Sequence, residues 1–231
     1  FFRTNSTSSS SSSNTKLKEE INIQDINQDI DNWKIPKYTQ TDIYERGKKW
    51  MFSTSDYTIK TVEQTIALDA DHEEIKLLSK RTIEKYKEKY NYIHFGLVQI
   101  AAKPLTREGL DTSLLLCLRD NRFLEFNYSL LGMTETSLCG GPVYFDCFPN
   151  FIVSLKDKNI LDALTLNIKT VNYRVKTGTF PITIIYRIQY KIMNSAFRTG
   201  ALKTLQKGET VLFQTDLARS QITVSRSITW N

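Results

Sequence analysis

Three cysteines and two histidines are the side chains of this sequence best suited to nucleophilic or metal chemistry. They are Cys117, Cys139 and Cys147, and His72 and His94. The cysteines lack the paired spacing of a zinc site, and neither histidine is close to a cysteine in the sequence. We therefore expect no metal and no cofactor, and we interpret the cysteines as buried thiols in a reducing compartment.

A further candidate for chemistry is the segment Asp111-Thr112-Ser113, which is similar to the Asp-Thr-Gly of aspartic proteases. Serine stands where that motif has glycine. The reaction also needs two carboxylates that share a site, and a dimer would have to supply the second one. The sequence has neither a Walker-type loop nor a dinucleotide-binding fingerprint. It therefore predicts a protein that is not an enzyme.

Asp120 stands at an unusual position, because it follows the apolar run of residues 114–118 and lies between Arg119 and Arg122. A carboxylate there can form a partly buried ion pair, cap a turn or contact a partner. We expect the structural role for Asp120. Gly178 precedes Thr179-Phe180-Pro181 and is expected to supply a turn with positive φ.

Positive charge is concentrated in the C-terminal half. Residues 156–208 contain ten basic and two acidic residues, a net charge of +8 in a chain whose total is +6. This asymmetry favours a polyanion as partner, and a solvated basic surface is the alternative. Cations interleaved with tyrosines are typical of proteins that bind single-stranded nucleic acid without sequence preference. The residues predicted to bind it are Lys169, Arg174, Lys176, Arg187 and Lys191.

The elements that must position these residues are predicted to be strands. From Tyr92 onward, apolar runs of strand length end in charge, proline or glycine, as buried strands do. In residues 181–193 an apolar stripe alternates with a basic and polar one, which predicts one face on the core and one at the surface. The alternation changes parity after Thr170, which predicts a bulge or turn there.

One clear helix is predicted over residues 71–90, with Asp71 as N-cap and Glu74 three residues later. Its apolar stripe is narrow, and cations load its C-terminal part, where they suit the helix dipole. Residues 33–44 are interpreted as an extended arm, and residues 48–53 and 57–62 as strands. The apolar side chains of residues 33–62 are expected to pack on the sandwich.

The sequence divides into three parts. Residues 1–32 are predicted to form a disordered or weakly helical tail, because the serine run at 8–13 cannot bury enough apolar surface. Residues 33–213 form the predicted β-sandwich domain, and residues 214–231 form a C-terminal extension. No apolar run approaches the roughly 18–20 residues that span a bilayer.

Several segments, taken in order, carry the likeness of a known family. They are Gly96 to Ile100, Leu105 to Ser113, Leu118 to Arg122, Ser129 to Met133, Pro142 to Phe145, Phe148 to Phe151 and Leu164 to Lys169. In these segments the sequence resembles the movement proteins of plant viruses, the thirty-kilodalton superfamily. The resemblance is to its pararetroviral branch, of the caulimovirus and badnavirus type. It covers residues 33–193 and places the superfamily's signature aspartate and glycine at Asp120 and Gly178.

The resemblance implies a jelly-roll-like β-sandwich that carries viral genome or virions from cell to cell through plasmodesmata. It implies sequence-independent nucleic-acid binding, assembly into tubules, and location in the host plant cytoplasm and at plasmodesmata. The expected partners are single-stranded nucleic acid, further copies of the chain and host plasmodesmal proteins. In relatives, sequence that helps engage the virion usually follows the position of Asn231, so virion binding is left open. The alternative is a structural, capsid-like jelly-roll assembly protein.

Overall fold

The computed structural model of the 231-residue chain describes residues 33–45, 57–68, 70–105, 112–171, 179–197, 199–203, 209–215 and 223–229. The predicted tail of residues 1–32 and the strand predicted at 48–53 lie outside the described residues. So do Arg174, Lys176 and Gly178.

The described residues form mainly β-strands, with three short α-helices among them. The strands are β1 (Tyr57–Leu68), β2 (His72–Lys76), β3 (Tyr92–Pro104), β4 (Ser113–Arg119), β5 (Leu130–Ser137), β6 (Val143–Cys147), β7 (Phe151–Ser154), β8 (Thr165–Val171), β9 (Ile182–Met193), β10 (Glu209–Thr215) and β11 (Thr223–Thr229). The helices are α1 (Gln40–Ile43), α2 (Lys80–Lys87) and α3 (Phe126–Ser129), and 3-10 turns lie at Leu138–Gly140 and Ile160–Asp162.

The strands form two sheets in jelly-roll order. One sheet runs β1-β9-β3-β6, with β7 also paired to β3, and the other runs β11-β10-β5-β4-β8-β2. If β6 and β7 are counted as one interrupted strand, β1 to β9 become eight strands in the orders 1-8-3-6 and 2-7-4-5, which is the arrangement of a jelly roll. The pairs are antiparallel except β10 with β5. The predicted jelly-roll-like β-sandwich is therefore confirmed.

The hydrophobic core lies between the two sheets, because buried side chains from both belong to one cluster. Ile100 and Phe145 come from the first sheet, and Leu116, Leu118 and Ile168 come from the second. The stripe of alternate residues predicted on β9 belongs to the same cluster, from Ile182 to Ile192. Alternation of side chains along each strand thus produces the inner face, as the sequence predicts.

The single helix predicted over residues 71–90 is wrong in its first half. His72–Lys76 is strand β2, paired antiparallel with β8, and helix α2 begins only at Lys80. Its N-cap is Ser79, whose hydroxyl accepts a hydrogen bond from the Thr82 backbone nitrogen at 3.1 Å. Pairing with a neighbouring strand overrides the weak helical pattern of these few residues.

The bulge or turn predicted near Thr170 is not found within β8. Thr170 is buried and Val171 is exposed, so the alternation that starts at Leu166 continues to the end of the strand. The register with β4 is also unbroken, down to Ser113 opposite Val171. Within β8, Val171 is thus an apolar residue at an exposed position, and residues 172–178, over which the change of parity continues, lie outside the described residues.

Among the described residues no helix has the length and apolar character needed to cross a bilayer.

Candidate functional site

The residues predicted to bind nucleic acid lie in different environments. Lys169 is exposed on β8, opposite His72 of β2. Arg174 and Lys176 are outside the described residues, as is Gly178. Arg187 and Lys191 lie on β9 and are 4% and 8% exposed. The prediction that these two residues form part of an exposed basic face is therefore wrong.

Arg187 is buried because neighbouring groups satisfy its guanidinium from three directions. Its Nε and Nη2 lie 2.8 and 2.7 Å from Glu63 Oε2 on β1. Its Nη1 donates to Gln99 Oε1 of β3 and to the Pro36 carbonyl, both at 2.8 Å. A buried guanidinium needs such partners to offset its lost hydration. Arg187 is therefore occupied within the fold.

Lys191 is covered in the same way. Its ammonium donates to the Thr199 carbonyl at 2.9 Å and lies 4.2 Å from the centre of the Tyr57 ring. Burial lowers the pKa of Lys191 from its ordinary value. Gln189, between the two cations, donates its side-chain amide to the Tyr38 carbonyl at 2.8 Å. The polar face of β9 is thus closed by residues 33–45, called the arm below, and by the segment around Thr199.

The arm is anchored where the first sheet is interrupted. β3 has a register shift between Phe95 and Leu97, and Asn150, between β6 and β7, has a φ of 49°. Tyr44 fills this place, with its hydroxyl 3.0 Å from His94 Nδ1. A side chain at Gly96 would put its Cβ 2.5 Å from the Tyr44 hydroxyl oxygen. A glycine at this position therefore allows the arm to seat.

His94 is a buried member of this anchor. Its Nε2 lies 2.8 Å from Asn150 Oδ1, while its Nδ1 faces the Tyr44 hydroxyl. Burial, with the positive charge of Lys191 as a smaller cause, lowers the pKa of His94 to about 4. Burial raises the pKa of Tyr44 above its ordinary value. Both groups are therefore neutral in the folded domain at neutral pH.

Asp120 lies at the end of β4 in the other sheet and is 2% exposed. Its carboxylate accepts hydrogen bonds from three nitrogens of Arg122, the backbone nitrogen at 3.2 Å, Nε at 2.8 Å and Nη2 at 2.6 Å. Arg122 also donates to Asp157 Oδ2 at 3.2 Å, and the bond to Asp120 is the main cause of its raised pKa. Asp120 therefore forms the partly buried ion pair that the sequence allows.

The Asp120 backbone also closes the loop that follows β4. Its nitrogen donates to the Ser129 carbonyl at 2.7 Å, and its carbonyl accepts from the Phe123 nitrogen at 3.1 Å. Next to it, the Asn121 nitrogen donates to the Asp162 carbonyl at 2.8 Å. These bonds fix both ends of the loop of residues 120–129 against the sandwich.

The loop so fixed carries a group of exposed apolar side chains. Leu124 is 98% exposed, and its neighbours in the loop are also exposed, namely Phe123, Phe126 and Tyr128. Exposed apolar residues that are contiguous in the chain mark interaction surfaces more often than isolated ones. Sequence reasoning missed this group, although the letters Phe123-Leu124-Glu125-Phe126 directly after a turn are the signal that could have found it.

The groups considered for nucleophilic or metal chemistry differ in their exposure. Cys117 and Cys147 are buried, and burial raises the pKa of the Cys147 thiol to about 12. Cys139 is exposed. Within the described ranges no group of three or more His, Cys, Asp or Glu side chains is placed to hold a metal ion. Asp111 of the protease-like segment lies outside the described residues.

Over residues 18–207 the sequence matches the family described as viral movement protein (MP). The chain belongs to the viral movement protein family. The family predicted from the ordered sequence segments is therefore confirmed, together with its caulimovirus branch.

Among the curated relatives, the genome polyprotein of Petunia vein clearing virus is 34% identical over 124 residues, which is 54% of this chain and 6% of that protein. The movement protein of Soybean chlorotic mottle virus is 34% identical over 113 residues, 48% of this chain and 37% of that protein. The movement protein of Figwort mosaic virus is 29% identical over 151 residues, which is 60% of this chain and 46% of that protein. The matched region spans less than half the length of these relatives.

Two solved viral structures are similar to part of this chain at low identity. One from Desmodium yellow mottle tymovirus covers 75% of this chain and 97% of its own, with a TM-score of 0.44 and 10% identity. One from Turnip yellow mosaic virus covers 75% and 90%, with a TM-score of 0.44 and 11% identity.

Proposed function

We propose that this chain moves viral genome or virions between plant cells through plasmodesmata. The observation that carries the proposal is the family match over residues 18–207, with relatives named movement protein in several plant viruses. Its place of action is the host cytoplasm and the plasmodesmata. It acts by binding and assembly rather than by catalysis, without a cofactor.

The proposed mechanism combines sequence-independent binding of single-stranded nucleic acid with self-association into tubules. The net charge of +8 in residues 156–208 supports a polyanionic partner. Lys169 is an exposed contributor, whereas Arg187 and Lys191 are occupied by the arm and the Thr199 segment. Host plasmodesmal proteins are further proposed partners. Virions are partners only if the chain binds them directly.

A fluorescent fusion of the chain expressed in leaf epidermis tests this proposal. Label concentrated in puncta at the junctions between cells is expected, because a movement protein acts at plasmodesmata. An Asp120→Asn fusion is the matched control, since it alters the signature position. Diffuse cytoplasmic label from the unaltered chain would contradict the proposal.

A capsid-like assembly protein is the second candidate, and the strand orders 1-8-3-6 and 2-7-4-5 favour it, because jelly rolls also build virus shells. Electron microscopy of the purified chain separates the two. Tubules or filaments support movement, and closed shells support the capsid-like function.

A further inference from the structure

Helix α2 carries a row of basic side chains on the side away from the core. Ile83 is buried and anchors the helix, whereas Arg81, Lys85 and Lys89 are exposed and follow one another at intervals of four residues. Lys89 lies in a final turn, held by a bond from its nitrogen to the Tyr86 carbonyl at 3.1 Å. Four helical residues rise about 6 Å, so the three cations form one line along the helix.

Helix stability accounts for the cations at the end of this row but not for Arg81 at its start. Cations near a helix C-terminus interact well with the dipole, but cations in the first turn oppose it. Lys80 and Arg81 occupy that first turn, which contains no acidic residue. Lys80 is 3.9 Å from Glu84, while Arg81 is in none of the ion pairs of the described residues. Lys80 and Arg81 therefore lie where helix stability alone would disfavour a cation.

A second basic element meets the end of this helix. The Leu155 nitrogen donates to the Asn91 carbonyl at 2.8 Å, which joins the loop after β7 to the residues that follow α2. Lys156 and Lys158 of this loop are exposed. The acid between them, Asp157, is bound to Arg122 at 3.2 Å. The loop thus adds two positive charges whose neighbouring negative charge is already neutralised.

The cations of these two elements are available to an anion. None of the ion pairs found within the described ranges includes Arg81, Lys85, Lys89, Lys156 or Lys158. These five residues are called the α2 basic patch.

Two tyrosines lie among these cations. The ammonium of Lys85 is 5.4 Å from the centre of the Tyr86 ring, and that of Lys89 is 5.6 Å from Tyr90. Both rings pack against the hydrophobic core, so the cations, rather than the rings, carry the proposed contact with phosphates. Lys169, in contrast, lies on the strand face that also carries Glu74.

We propose that the α2 basic patch is the surface that binds the phosphates of single-stranded nucleic acid. The inference rests on the proposed nucleic-acid binding and gives that binding a location. The repeat of about 6 Å along the helix is close to the distance between successive phosphates of an extended strand. The contact therefore needs no base recognition, which agrees with binding that ignores sequence.

Salt-dependent binding of the full chain to an oligothymidylate tests the proposal. The test variant carries Arg81→Gln, Lys85→Gln and Lys89→Gln, which keep good helix propensity. The control removes three exposed cations elsewhere, with Lys34→Gln, Lys37→Gln and Lys60→Gln. The test variant should lower the log–log salt slope by about 2, at about 0.7 per phosphate, and weaken binding on the order of 100-fold at 0.1 M salt. The control should change both much less.

The possible outcomes separate the inference from the proposed function. If the unaltered chain binds with a steep salt dependence and the test variant has the same dependence and affinity, the location is wrong and the function stands. The same conclusion follows if the control variant loses as much binding as the test variant. If the unaltered chain binds no single strand at low salt, the nucleic-acid function fails and the inference falls with it. If the test variant loses binding only to anionic phospholipid vesicles, the patch recognises a membrane and the inference is overturned. Circular dichroism melting shows that each variant is folded.

Discussion

Replacing Asp120 with asparagine removes a buried negative charge while keeping the shape of the side chain. The carboxylate accepts hydrogen bonds from three Arg122 nitrogens at 2.6–3.2 Å. An asparagine places an amide N–H opposite one of the guanidinium donors, so at least one of these bonds is lost and another weakens. Asp157, whose side chain is one-third exposed, then remains as the carboxylate partner of Arg122.

The expected loss in the free energy of unfolding is about 2 kcal/mol. Breaking a fully buried pair costs about 3–5 kcal/mol. Losing hydrogen bonds to a charged group costs about 1.5–3 kcal/mol. The lower range applies because Arg122 retains a second carboxylate. In a domain of this size, a loss of 2 kcal/mol lowers the melting temperature by about 4–8 °C.

Urea unfolding followed by circular dichroism measures this loss, with Asp162→Asn as the matched control. Asp162 pairs with Lys76 at 2.7 Å, but both side chains are substantially exposed, so its substitution should cost at most about 1 kcal/mol. Equal stability of the Asp120→Asn variant and the unaltered chain would refute the structural role. If such a variant also lost its label at cell junctions, Asp120 would be a contact residue.

Three further predictions concern the arm and the face of β9 that it covers. Gly96→Ala should destabilise the domain by about 1–3 kcal/mol in urea unfolding, because its Cβ would meet Tyr44; Gly140→Ala, whose Cβ meets nothing within 4 Å, is the control. The folded pKa of about 4 for His94 lies below its ordinary 6.5, so the unfolded state binds more protons between these values. The free energy of unfolding should therefore fall by about 3 kcal/mol as the pH drops from about 6.5 to 4. A His94→Asn variant that showed the same loss would contradict its assignment to His94. Arg187→Gln should lower the free energy of unfolding by about 2–4 kcal/mol and leave the salt dependence of nucleic-acid binding unchanged. If a folded Arg187→Gln variant instead showed a smaller salt slope, Arg187 would be a phosphate contact.

The inner face of the sandwich could be predicted from the sequence, because alternation at period two is a local property. The stripe from Ile182 to Ile192 shows it clearly. Whether the opposite face is exposed to solvent could not be predicted, since the sequence pattern at Arg187 and Lys191 is the same whether water or another segment covers them. Their cover is mainly the arm, some 150 residues earlier in the chain.

The helix prediction over residues 71–90 was wrong in its first half for a related reason. His72–Lys76 shows both a weak helical and a strand pattern, and its pairing with β8 decides between them. The contacts of Asp120 were predicted more fully, because both the ion-pair partner and the turn are within a few residues of it. Asp157, which shares Arg122, could not be found in this way, because it comes from a distant loop.

The arm also determines the order in which the domain can be completed. Its bonds from Arg187 to Pro36 and from Gln189 to Tyr38 each join residues 151 positions apart, and Tyr44 bridges to Ala201. During synthesis the arm leaves the ribosome long before β9 exists, so its bonds to Arg187 and Gln189 cannot form until β9 has been made. Contacts of such long sequence separation form late and slowly. Full docking of the arm therefore waits for β9, and a nascent chain that ends before β9 holds Gln99 without the guanidinium that it binds in the finished domain.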